Sequence, residues 1–145
     1  MASEAGVAPR RLTDGLSVGA QIAPEDVAAL ARMGFRSILS NRPDGEEEGQ
    51  PDFAEVEAAA RAAGMAARHQ PVTSPVTDAD ADAFAEALAA LPAPTYAHCR
   101  SGTRSASLWA LAEARRRPPA ELLARAEAAG YDLSGLAERL AARAG

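Results

Sequence analysis

The sequence contains no lysine: all 15 of its basic residues are arginine, set against 20 acidic residues for a net charge of −5. With a pI near 5.0, a general nucleic-acid-binding surface is not expected. A single cysteine, Cys99, excludes an internal disulfide framework and every multi-cysteine zinc or iron–sulfur pattern. No two histidines or carboxylates stand at metal-ligand spacing, so no metal and no other cofactor is expected. No run approaches the roughly 18 consecutive apolar residues of a membrane span. Residues Met1 to Arg10 also lack the basic segment and apolar stretch of an export signal. These absences predict a soluble, cytoplasmic protein without membrane or nucleic-acid partners.

What is present is an ordinary globular balance, 48% hydrophobic and 24% charged over 145 residues, enough chain for one domain with its own core. A flexible N-terminus over 1–11 and a single domain over 12–145 are expected. Alanine supplies about a quarter of the chain, a bias that favours helix and carries no chemistry of its own.

Helix and strand signals alternate. Leu16-Ser17-Val18 reads as a short strand. Pro24, with Glu25 and Asp26, opens a helix that carries Val27, Leu30 and Met33 on one face and stops at Gly34. A strand over Phe35–Ser40 precedes the breaker-rich loop Asn41–Pro51. A helix over about Asp52–Ala63, with Phe53, Val56 and Ala60 inward, leads to a strand over Met65–Val72. Thr77 and Asp80 resemble a capping box for a helix striped by Phe84, Leu88 and Leu91. Thr95–His98 is a strand, and a helix holding Leu108, Trp109 and Leu111 follows it. After Pro118-Pro119 come helices around Glu121–Ala129 and Ser134–Ala144. This rhythm predicts an α/β fold with a mostly parallel sheet flanked by helices. Ligands of such sheets bind beyond the carboxyl ends of the strands, which selects the loops Asn41–Pro51, Thr73–Thr77 and Cys99–Ser105.

The third loop carries the chemistry. Cys99 stands where a buried strand turns into a helix, near unpaired N–H groups and the positive end of the helix dipole. Arg100 and Arg104 add fixed charge, surroundings that favour a thiolate. Gly102 lets the backbone wrap an anion, and Ser101, Thr103 and Ser105 offer hydroxyls. Arg42, before Pro43, is a candidate to reach over an anionic substrate, against pairing with Glu46–Glu48 on the surface. His98 and His69 read as structural, and Trp109, Phe84 and Tyr96 as core.

The segment His98-Cys-Arg-Ser-Gly-Thr-Arg-Ser105 resembles the active-site loop of cysteine-based protein phosphatases and of rhodanese-type sulfurtransferases. The whole chain, over about residues 12–135, resembles the beta-lactamase-hydrolase-like, phosphatase-like domain family (domain of unknown function 442). The further features that carry this are Leu16-Ser-Val-Gly-Ala-Gln-Ile22, Asn41-Arg-Pro-Asp-Gly-Glu-Glu47 and Ala129-Gly-Tyr-Asp-Leu133. The resemblance implies a dual-specificity-phosphatase-like fold. It also implies either phosphatase chemistry or sulfur transfer, the latter beside a persulfide dioxygenase in sulfide oxidation.

Phosphatases of this type space nucleophile and arginine as Cys-x5-Arg. Here Arg104 gives Cys-x4-Arg, as in rhodaneses, and one residue is worth up to about 3.5 Å in so tight a ring. Phosphatases also use an upstream Asp as general acid, whereas Pro71-Val-Thr-Ser-Pro75 has no carboxylate. Asp78 is the candidate acid, with the first turn of a helix as its competing role. These points favour a sulfurtransferase working through a Cys99 persulfide. Its donor would be glutathione persulfide or thiosulfate and its acceptor a thiol or sulfite. A cysteine phosphatase is the alternative, and a non-catalytic persulfide- or anion-binding module is the second.

Overall fold

The computed structural model describes residues 7–144. Strands β1 (Arg10–Thr13) and β2 (Leu16–Gly19) come first, followed by a 3-10 turn at Pro24–Asp26 that runs into α1 (Val27–Arg32). Then come β3 (Ser37–Ser40), α2 (Phe53–Ala62), β4 (Ala66–His69), α3 (Asp78–Ala90), β5 (Thr95–His98) and α4 (Thr103–Glu113). The chain closes with α5 (Pro119–Ala128), a 3-10 turn at Ser134–Leu136 and α6 (Ala137–Arg143).

One sheet runs in the order β1-β2-β5-β3-β4, with β2, β5, β3 and β4 parallel and β1 antiparallel at the edge. This is the α/β architecture expected, with one added strand. The chain is in the sheet by Arg10 and Val7 is buried; the rest of the N-terminal segment expected to be flexible, residues 1–6, lies outside the described residues. Asp14 and Gly15 make the tight connection between β1 and β2 that such a dipeptide favours.

Successive residues on each buried strand point to opposite faces. Leu39, Ala97 and Val18 join Phe84, Leu108, Leu122 and Leu140 under α3 to α6. Ile38 and Tyr96 join Leu30, Val56 and Ala60 under α1 and α2. Met33 does not belong to that face: it follows the last turn of α1 and is exposed. The capping box of α3 forms as expected, Thr77 Oγ1 accepting from the Asp80 N–H and Asp80 accepting from the Thr77 N–H. At α2 only the return half forms, the Asp52 N–H donating to Glu55 Oε2 at 3.1 Å while the Glu55 N–H bonds the Asp52 carbonyl. No helix among the described residues is long and apolar enough to cross a membrane.

The register places the site. Gly19 pairs with His98, Ser40 with His98 and Ser40 with His69. Four parallel strands therefore end level, and the loops that follow them open side by side.

Candidate active site

Cys99 follows the central strand β5 directly, and its side chain is buried at the floor of a cleft of about 350 Å³. The Gly102 N–H donates to its Sγ at 3.1 Å. Gly102 has φ 105° and precedes the first turn of α4, so a left-handed residue points the first free N–H of the helix at the sulfur. Neighbouring elements pin the loop from outside. The Gln21 N–H donates to the Arg100 carbonyl at 3.1 Å, and the Tyr131 hydroxyl donates to the Ser101 carbonyl at 3.1 Å.

Arg104 reaches the same cleft from the first turn of α4, held rigidly from behind. Its Nη1 and Nη2 each donate to Glu46 at 2.8 Å, and Nη1 also donates to the Val72 carbonyl at 2.8 Å. The bond to Glu46 raises the guanidinium above its ordinary range, and proximity to Cys99 acts in the same direction. In turn, Arg104 holds the Glu46 carboxyl below its usual value against the cost of burial, with Arg42 assisting. Glu46 should therefore stabilise the fold above about pH 4.5 and lose that contribution as pH falls through its lowered value. Glu46→Gln should cost about 2 kcal/mol in urea unfolding at neutral pH. That difference should shrink in acid, as wild-type Glu46 protonates below its usual carboxylate range.

Of the residues singled out in the sequence, Cys99, Arg100, Ser101, Thr103 and Arg104 all line the cleft, and Gly102 shapes its loop. Three are placed elsewhere. Ser105 is wholly buried, its hydroxyl donating to Asn41 Oδ1 at 2.8 Å, because one step along α4 past Arg104 turns a side chain about 100° toward the sheet. Arg42 is also buried: Nε donates to Glu46 at 3.0 Å, Nη2 to Glu47 at 3.3 Å and Nη1 to Gln21 Oε1 at 3.3 Å. It braces the acidic loop and lines a hollow adjoining the cleft with Glu46, Ser74, Arg100 and Arg104.

Asp78 is exposed outside the cleft and paired with Arg139 at 2.9 Å and Arg143 at 3.7 Å. The bond from Arg139 lowers its pKa, the opposite of what a general acid requires. His98 is buried, and burial pulls its pKa down to about 4, so the imidazole is neutral around pH 7 and shuttles no proton. The His69 ring bonds the Arg42 carbonyl at 2.8 Å and stacks on Phe53 at 4.7 Å. It is structural, as expected.

Ser107, Leu136 and Arg139 complete the wall, with Ser74, Pro75 and Val76 from the loop after β4. Sequence reasoning selected that loop but not Leu136, Arg139 or Tyr131. The Ala129–Leu133 segment pointed to Tyr131, and nothing local pointed to Arg139.

The family described as "Beta-lactamase hydrolase-like protein, phosphatase-like domain" matches residues 9–116. The chain belongs to this family. A beta-lactamase hydrolase-like protein of Agrobacterium fabrum is 42% identical over 105 residues, 72% of this chain but only 24% of that protein. The chain therefore spans about a quarter of that curated relative. Among solved structures, a phosphatase candidate from Neisseria meningitidis superposes with a TM-score of 0.83 at 36% identity, covering 92% of this chain and 96% of that one. The core catalytic domain of a PP-IP phosphatase from S. cerevisiae shares the fold, with a TM-score of 0.67 at 14% identity over 97% and 89% of the two chains. The beta-lactamase hydrolase-like, phosphatase-like domain thus has the tyrosine- and dual-specificity-phosphatase fold.

Proposed function

We propose that this phosphatase-like domain is a cysteine-dependent phosphatase for substrates whose leaving group departs without a proton from the protein. The observation that carries the reading is Cys99 Sγ on the cleft floor, bonded by the Gly102 N–H, with Arg104 fixed over the same space. The Cys99 thiolate attacks phosphorus, forming an S–P bond as the P–O bond to the leaving group breaks. Water then attacks the phosphocysteine, releasing phosphate and restoring the thiolate. Backbone N–H groups and Arg104 bind the equatorial oxygens where charge is concentrated. No carboxylate among the described residues lines the cleft with Cys99; Glu46 lines the adjoining hollow, but Arg104 and Arg42 hold its pKa down, which disfavours it as a proton donor. The leaving group must then be a stable anion: an aryl oxide, a carboxylate or a phosphate.

A second reading rests on one specific observation. The spacing Cys99 to Arg104 is one residue shorter than the Cys-x5-Arg of phosphatases. A tighter ring and an acid-free cleft both suit sulfur transfer, in which Cys99 takes the outer sulfur of glutathione persulfide or thiosulfate and a thiolate or sulfite leaves. The Cys99 persulfide would pass that sulfur to a thiol or sulfite, with a persulfide dioxygenase as partner.

Intact-mass measurement after rapid acid quench separates the two. With p-nitrophenyl phosphate, Cys99 should gain a phosphoryl group, and rates along a series of esters should fall steeply as the leaving group becomes more basic. If Cys99 instead gains only a sulfur atom from thiosulfate, and never a phosphoryl group, the phosphatase reading is wrong. Stoichiometric labelling without turnover would mark a binding module.

A further inference from the structure

Three guanidinium groups face the cleft, those of Arg100, Arg104 and Arg139, and no carboxylate among the described residues lines it. Each is held by an acidic residue that does not line this cleft: Arg100 by Glu47 at 3.4 Å, Arg104 by Glu46 at 2.8 Å and Arg139 by Asp78 at 2.9 Å. The acidic partners fix the arginines, and arginines rather than carboxylates line the cleft. A single transferring group needs only the Cys99 loop and Arg104.

Arg139 comes from α6 and lines the cleft together with Leu136, Pro75 and Val76. Two of its N–H groups are used, on the Val76 carbonyl at 2.8 Å and on Asp78. A guanidinium has five donors in a planar fork matched to oxyanions. The rest of the fork is free for an oxyanion, and the side chain is 37% exposed. The apolar surface between the two ends suits a short carbon chain.

We propose that Arg139 forms a second anion subsite and that the substrate is a small phosphorylated molecule bearing a further phosphate or carboxylate. This rests on the reading above, that the reacting group is a phosphoryl group held over Cys99.

The test reads occupancy rather than turnover. Wild-type protein is alkylated at Cys99 with iodoacetamide in the presence of inorganic phosphate, alkylphosphonates, and α,ω-bisphosphonates or ω-phosphonocarboxylates of increasing chain length. One length of doubly anionic ligand should protect Cys99 at a concentration about tenfold or more below that of the alkylphosphonate of equal length. Arg139→Gln should bring that ratio within about threefold, and Arg139→Lys should leave it in between, since a point charge replaces the fork. Asp78→Asn should keep the ratio or raise it, since the Val76 carbonyl still holds Arg139 while a competing negative charge is gone. Comparison of the two ligand series shows whether phosphate or carboxylate is preferred.

A wild type that shows no such ratio, or an Arg139→Gln protein that keeps it in full, overturns the subsite while the phosphatase reading stands. Should Arg139→Gln fail to fold, the wild-type ratio and its narrowing in Arg139→Lys decide. If neither phosphate nor any phosphonate protects Cys99, the phosphatase reading falls and the subsite with it.

Discussion

Replacing Cys99 by serine should lower turnover by roughly 10⁴-fold or more while inorganic phosphate still binds. A serine hydroxyl at the end of β5 is far less acidic than a thiol, so one N–H from Gly102 and the pull of α4 do not ionise it at neutral pH. The anion cradle survives the change, because the Gly102 N–H and Arg104 depend on the backbone and on Glu46 rather than on sulfur. The expected pattern is therefore a collapse in kcat with little loss of phosphate affinity by calorimetry. Steady-state kinetics on p-nitrophenyl phosphate supplies the first measurement. A Cys99→Ser protein that turns over at a comparable rate would show that Cys99 is not the nucleophile.

Gly102→Ala should be nearly as damaging. At φ 105° a Cβ is strained whatever the space around it, costing about 1–2 kcal/mol. Here the space is also taken. The added carbon would sit on the Tyr131 hydroxyl, 2.8 Å from Tyr131 Cζ and 3.2 Å from the Gly19 carbonyl carbon. The loop must then shift, taking with it the only N–H that bonds Cys99 Sγ among the described residues. A loss of about 100-fold or more in kcat/KM is expected, the size seen when one oxyanion donor is removed. Gly102→Asn tests the cause, since asparagine tolerates left-handed backbone but not the collision. Removing the ring in Gly102→Ala/Tyr131→Ala should restore part of the activity, because the two changes share one space. Full activity in Gly102→Ala alone would show that this N–H is not used.

The parallel strands, their helices and the Cys99 loop were legible because each is written in local signals: Gly34 and Gly64 ending helices, Thr77 capping α3, and strand segments spaced at βαβ intervals. Strand β1 was not, since Arg10-Arg-Leu-Thr13 buries only Leu12 and shows no alternation of an inward face. The role of Arg42 stood between two readings that differ only in whether Glu46 and Glu47 fold back onto it, a loop property no spacing encodes. Ser105 looked equivalent to Ser101 in the chain, yet α4 turns it into the sheet. Arg139 had no local signature because its position comes from packing: Val76, which fixes it, lies far away in the chain.

The reach of the family match has a practical consequence for dissecting longer relatives. It ends at residue 116, whereas Tyr131, Leu136 and Arg139, which brace the nucleophile loop and wall the cleft, all lie beyond it. A fragment trimmed at Arg116 would retain Cys99, Arg104 and the whole sheet yet expose Leu108 and Leu111, which share a core with Leu122 and Leu140. Recombinant excision guided by that boundary would yield an aggregation-prone and inert piece, so the two terminal helices belong to the smallest transferable unit of this domain.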